Sequence, residues 1–346
     1  MTQELIIEQQ GHLGIIRLNR VASLNALSID MIHGIRQQVL TWQAFPQVEA
    51  ILITSNSPKA FCAGGDVRYI YDGYHAQDNQ HLNYFADEYA MLDTLSASKK
   101  PIIALLDGYV LGGGFGLAQA CHLKVTSEKS RFAMPETVIG YFPDVAATHF
   151  LAQLKEIGLY LALTGEQISA ADALAFQLVD AMVQQQDLAQ LEHALIAAQM
   201  LDIASIKRLI SEYAMQLEAY PLKSHVDCIE QCFKQASVEN IESALQHVQD
   251  EEQAWAHSIL AILQQRSPMA KRASFVLHHL GRNLSRQQAM LLERQVQALW
   301  FEQGDFIEGV RALIIDKDKQ PKWRADQPDL DAKINALYQQ QLALSA

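Results

Sequence analysis

The stretch RFAMPETVIGYFPD, residues 131–144, sets two carboxylates eight positions apart among apolar and aromatic residues, each directly after a proline. A carboxylate in such company is costly to bury unless something pairs it or uses it. Burial raises a carboxyl's pKa and makes it a better general base, which is the chemistry Glu136 suggests. Asp144 has two readings, a second acidic group of a reacting centre or the N-cap of a helix over VAATHFLAQL. Upstream, KAFCAGGDVR (59–68) and GYVLGGGFGLAQAC (108–121) each place glycines where a strand hands over to a helix. Glycines there let N–H groups face a ligand, and the first amides of a helix have no partner within it. Two such loops can aim two donors at one oxygen, as an oxyanion hole requires. Either loop alone is equally a tight turn, and neither has the Lys-Ser/Thr ending of a P-loop. The pair, followed within about 25 residues by two carboxylates, is far more specific.

An alternation of strands and helices must position these loops. LIIEQ and LGIIRLN read as paired strands with Gly11 at the turn. SIDMIHGIRQQVLTW has Ile29, Ile32, Ile35, Val39 and Trp42 at a helical period. AILITS, PIIALLDG and HLKVTS are short strands, so the order favours an α/β architecture with parallel pairing. Ser169 and Asp172 stand in capping-box spacing, which predicts a helix over ISAADALAFQLVD leading into LVDAMV. Beyond about residue 186 the chain turns rich in Gln, Glu, Ala and Leu and reads as helical, with its clearest break at Pro268. The tail DKDKQPKWRADQPDL reads as an extended surface segment. The expected division is a core with the reacting centre over 1–200 and a mainly helical region over 201–346.

The 346 residues carry a formal charge of −12, which argues against nucleic acid or an anionic membrane as the main partner. No apolar run approaches the roughly 18 residues of a membrane span. The four cysteines, Cys62, Cys121, Cys228 and Cys232, are scattered, and the first residues lack the basic and apolar regions of a leader. Free thiols in a reducing cytoplasm are therefore expected. Cys228 and Cys232 share a helix face by spacing and read as core packing, and His122, His149, His278 and His279 are too dispersed to propose a metal.

The motifs taken together resemble the enoyl-CoA hydratase/isomerase (crotonase) superfamily, and within it most of all the 3-hydroxyisobutyryl-CoA hydrolases. RLNRVASLNAL (17–27), KAFCAGGD (59–66) and GYVLGGGFGLAQAC (108–121) carry the superfamily likeness. RFAMPETVIGYFPDVAATHFL (131–151) and DFIEGVRALIIDKDKQPKW (305–323) carry that of the subgroup. The resemblance implies a spiral of ββα units with an enlarged helical C-terminal region. It implies that the Gly65 and Gly113 amides hold a thioester oxygen and that Glu136 is the acid–base group or a nucleophile. A hydratase's other glutamate falls at Gly116, which cannot transfer a proton, while Asp144 supplies a carboxylate where hydratases usually have none. Glu88 matches a further acidic position of the hydrolases, for a substrate hydroxyl or for orienting its neighbours, or is a solvated helix carboxylate. Val21 stands where the family usually has proline, and Ala146-Ala147 replace a common glycine pair, which adds two methyl groups beside the expected acyl pocket.

The implied reaction is hydrolysis of 3-hydroxyisobutyryl-CoA, a step of valine breakdown. Coenzyme A enters as part of the substrate, with no separate cofactor and no metal. Arg20, Lys59 and Arg68, with Lys317, Lys319 and Lys322, are the cations available to a polyanionic substrate, and Ala63 and Gly64 let it pass close to the backbone. Asp66 reads as a cap for the helix beginning near Val67. Two other readings stay open: a hydratase or isomerase using Glu136 alone or with Asp144, and a CoA-binding or assembly subunit that has lost catalysis. Relatives commonly form trimers, so a homo-oligomer is a candidate assembly.

Overall fold

The structure, a computed structural model, describes residues 3–77 and 79–345. The chain forms two compact units, each assembled from three separated segments. The first comprises Met1–Asp66, Asn83–Ala133 and Ile168–Pro221. The second comprises Val67–Leu82, Met134–Gln167 and Leu222–Ala346.

Among the described residues, ten strands lie in the first unit: β1 (Leu5–Gln10), β2 (Leu13–Leu18), β3 (Ala50–Ser55), β4 (Ala60–Cys62), β5 (Ile102–Leu106), β6 (Tyr109–Leu111), β7 (Leu123–Ser127), β8 (Arg131–Ala133), β9 (Ile168–Ser169) and β10 (Ala181–Val183). Six of them form a sheet in the order β1-β2-β3-β5-β7-β10, antiparallel only at β1–β2, with Gly11 at φ +57° in the turn. Alternate side chains leave opposite faces of a strand. Leu13, Ile15, Leu52, Ile103, Leu105 and Val125 pack on one face against the helices Leu188–Ala197 and Ile203–Tyr213. Next in register is Gly14, where a Cβ would lie 2.7 Å from the Trp42 ring, so the helix Ile29–Gln43 can press onto the strand. Its buried stripe is Met31, Ile32, Ile35, Val39 and Trp42, beginning at Met31 where the sequence suggested Ile29.

The second sheet, β4-β6-β8-β9, does not register in the sequence as strands, because segments of two or three residues carry no readable period. β4, β6 and β8 run parallel, and β9 is antiparallel to β8. The Ser169–Asp172 capping box is present and opens the helix Ala170–Ala175.

The second unit is helical. Val226–Phe233, Val238–Gln246, Gln253–Gln265, Pro268–Gly281, Arg286–Gln303 and Leu330–Ser345 make up the helical C-terminal region. Pro268 is the first residue of its helix, and the Ser267 hydroxyl accepts from the Ala270 amide. Residues 317–327 have no regular structure. The helix expected over VAATHFLAQL is broken into Ala147–Phe150 and a 3-10 turn, Ala152–Leu154, ahead of the helix Lys155–Thr164.

Candidate active site

β4 and β6 are parallel neighbours, so the loops leaving their C-terminal ends lie side by side, where open α/β sheets bind ligands. After β4, the Leu27 amide donates to the Gly64 carbonyl at 2.8 Å and the Asp66 amide to the Leu27 carbonyl at 3.1 Å. This is a parallel bridge between Leu27 and Gly65. Its bonds run through residues 64 and 66, so the N–H of Gly65 itself faces the opposite way. The buried Tyr84 hydroxyl donates to the Leu27 carbonyl at 2.7 Å and accepts from the Asp66 amide at 3.1 Å, which pins the loop. Arg20 pairs with Asp66 at 2.7 Å and Glu4 at 3.1 Å, so its charge is committed within the protein, and Asp66 is paired just before the helix Val67–Ala76.

After β6, Gly113 opens the helix Gly113–Gln119, where its N–H has no intrahelical acceptor. A Cβ at Gly113 would stand 3.2 Å from the Gly65 nitrogen and 2.6 Å from Glu88 Oε1. Gly64 takes φ +118°, and a Cβ there would lie 3.9 Å from the Gly113 nitrogen. Gly64, Gly65, Gly113 and Glu88 therefore converge, and the two amides are close enough to serve one oxygen. Lys59, just before β4, is exposed, and Ala63, just after it, is half-buried. Arg68 is bound to the Ile314 carbonyl at 3.1 Å, while Lys317, Lys319 and Lys322 are exposed.

Glu88, on the helix Gln80–Ser96, is 2 % exposed and not solvated. Burial pushes its carboxyl up to about 8, so it is mostly protonated at neutral pH. Burial, against a hydrogen bond from the Gly64 backbone, pushes the Cys62 thiol up to about 12, and burial raises the Tyr84 phenol; Glu88, ionised at the high pH where both titrate, adds to each. Cys62 is thus a packing group that donates to the Asn25 carbonyl at 3.0 Å, not a nucleophile.

The other two carboxylates lie in the second unit. Glu136, 7 % exposed, begins the 3-10 turn Glu136–Ile139, which Gly140 ends at φ +69°. Asp144, 5 % exposed, has its Oδ2 at 3.4 Å from the Tyr141 hydroxyl and 3.5 Å from Gln297 Nε2. Gln297 also donates to the Tyr141 hydroxyl at 2.8 Å, and Trp300 Nε1 to the Gly140 carbonyl at 3.0 Å. The N-cap reading of Asp144 is corrected here. Ala146 is the N-cap of Ala147–Phe150, with no side-chain cap bond. The amides at that end go instead to Glu293, which accepts from Ala146 and Thr148 at 2.9 Å each. Glu293, Gln297 and Trp300 went unnoticed in the sequence, though their spacing puts them on one face of a helix.

Residues 13–335 match the profile of the enoyl-CoA hydratase/isomerase family. The chain belongs to that family. Among curated members of the family, it is 37 % identical over 327 residues to the 3-hydroxyisobutyryl-CoA hydrolase, mitochondrial, of Gallus gallus, covering 93 % of this chain and 84 % of the relative. To the human protein of that name it is 33 % identical over 328 residues, with the same coverage, 93 % and 84 %. Two solved structures share the crotonase fold nearly end to end. A carnitinyl-CoA dehydratase from Mycobacterium thermoresistibile superposes with TM-score 0.87 at 26 % identity, covering 97 % of this chain and 96 % of that one. An enoyl-CoA hydratase from Rhodobacter sphaeroides 2.4.1 gives 0.86 at 32 % identity, with 98 % and 99 % covered. Among the described residues no helix is long and apolar enough to cross a membrane.

Proposed function

We propose that this chain hydrolyses acyl-CoA thioesters, with 3-hydroxyisobutyryl-CoA as its substrate and 3-hydroxyisobutyrate and CoA as products. The observation that carries this reading is its identity, over 93 % of its length, to relatives named for that reaction. The residues agree: Gly116 offers no proton where a hydratase keeps its second glutamate, and Asp144 adds a carboxylate. As the carbonyl carbon becomes tetrahedral its oxygen gains negative charge, which the Gly65 and Gly113 amides stabilise. Losing one such donor typically costs about 100- to 1,000-fold in rate. Glu136 takes a proton from the attacking water, or attacks the carbonyl itself to give an anhydride that water then opens. Either way the C–S bond breaks and the thiolate of CoA leaves with a proton. Asp144 holds the water or the 3-hydroxyl. Glu88, protonated and beside Gly113, donates a hydrogen bond to a substrate oxygen.

The two solved relatives titled dehydratase and hydratase favour a second reading, double-bond chemistry with the thioester intact. A mass-spectrometric time course on 3-hydroxyisobutyryl-CoA, crotonyl-CoA and other acyl-CoAs separates the two, with wild type beside Glu136→Gln. Free CoA and the matching acid from wild type, lost in the variant, are expected. Gain or loss of water with CoA still attached establishes the hydratase, and binding without any turnover a CoA-binding subunit. We place the reaction in a reducing cytoplasm, since all four cysteines are free and buried. The working form we propose is a homo-oligomer, which light scattering tests.

A further inference from the structure

Asp144 is followed by a turn that its own residues disfavour. The Ala147 amide donates to the Asp144 carbonyl at 2.8 Å, while Val145 takes φ +51° and Ala146 φ +74°, ψ +11°. Positive φ at both central positions makes this a type I′ turn, whose positions ordinarily hold glycine, asparagine or aspartate. A β-branched residue in that region is an outlier. Such backbone persists only where its surroundings over-determine it. Glu293 is the group that does so. Fully buried at 0 % exposure, it accepts from the Ala146 amide through Oε2 and the Thr148 amide through Oε1, at 2.9 Å each. One turn and two turns along the same helix, Arg286–Gln303, Gln297 and Trp300 take Tyr141 and the Gly140 carbonyl. One helix face thus holds the segment 140–148 on both sides of Asp144.

We propose that Glu293 is the positioning residue for Asp144. Its carboxylate forks across the left-handed turn, fixes the direction in which Asp144 leaves the backbone, and makes a Val-Ala pair serviceable where glycine would otherwise be needed. Glu293 itself touches no substrate. The inference rests on the hydrolase reading, in which Asp144 holds the water or the 3-hydroxyl.

The test uses the full chain as wild type, Glu293→Gln, Ala146→Gly and the double variant. Glutamine keeps one acceptor oxygen and turns an NH2 group on the second amide. With 3-hydroxyisobutyryl-CoA, Glu293→Gln is expected to lower kcat by about 10- to 100-fold while KM moves less than about threefold. Hydrogen exchange in the peptide spanning residues 142–150 should quicken in the same variant. Ala146→Gly, which adopts left-handed backbone freely, should restore kcat at least about fivefold when added to it. That rescue, with the kcat–KM split, separates positioning from a general loss of stability. Unchanged kcat and exchange in Glu293→Gln overturn the proposal, and so does a kcat loss that Ala146→Gly does not relieve. Should Glu293→Gln alone fail to fold, the double variant is expected to fold, and its failure too would show Glu293 supporting more than this turn. If wild type hydrolyses no thioester, the functional reading falls, and exchange at 142–150 still decides whether Glu293 holds the turn.

Discussion

Burial disfavours the charged form of Glu88 and pushes its carboxyl up to about 8. Its neighbours are the Cys62 thiol, the Tyr84 phenol and the Gly113 backbone, and among the described residues Oε1 has no hydrogen-bond partner. A protonated carboxyl beside an amide pair adds a donor, where an ionised one would repel the oxyanion proposed to form there. The folded value of about 8 lies above the ordinary 4.5. Between those values the native state binds the extra proton, so stability is whole below pH 4.5 and lost as pH rises to about 8. Glu88→Gln removes the ionisable group and keeps the shape. The variant's thermal midpoint should therefore fall less than that of wild type between pH 5 and pH 9. Parallel curves for the two proteins would mean that Glu88 is ionised throughout that range.

At the scale of elements, the amide pair depends on two three-residue strands lying side by side. Gly108 sets the distance between them. It takes φ +73°, and a Cβ there would overlap the Lys59 carbonyl, which accepts from the Tyr109 amide at 3.0 Å. Alanine at 108 must either strain the backbone or push β6 away from β4. Each loop rides on one of those strands, so the Gly65 and Gly113 amides would part as β6 moves. Gly108→Ala is expected to cost about 1–3 kcal/mol in a urea titration. A kcat loss should accompany it at temperatures where the variant remains folded. Full activity in a destabilised variant would show that the loops hold their spacing without the strands.

Across the whole molecule, a formal charge of −12 would meet the proposed acyl-CoA, itself polyanionic, with a repulsive far field. Arg20 is engaged by Glu4 and Asp66, and Arg68 by the Ile314 carbonyl, which leaves exposed lysines such as Lys59 for local attraction. Raising KCl to about 0.15 M screens charges beyond roughly 8 Å, so kcat/KM for the acyl-CoA should rise. A fall would show that nearby lysines outweigh the net charge. What the sequence determined by itself was what neighbours along the chain can specify. The glycine loops, the Ser169–Asp172 capping box and the stripe of Ile29–Gln43 follow from backbone freedom, period and short-range hydrogen bonding, and the family motifs are legible by resemblance. The three-residue strands under the loops were hidden because they are too short to show a period. Only the tertiary structure decided the surroundings of the carboxylates. Glu88 sits on an ordinary-looking helix until burial raises its carboxyl. Asp144 finds Gln297 153 positions away, and the turn beside it finds Glu293 at 147. A polar residue on a helix face looks the same in sequence whether solvent or a strained turn will meet it. Which of the two it meets depends on packing, and the packing is set by the helix as a whole.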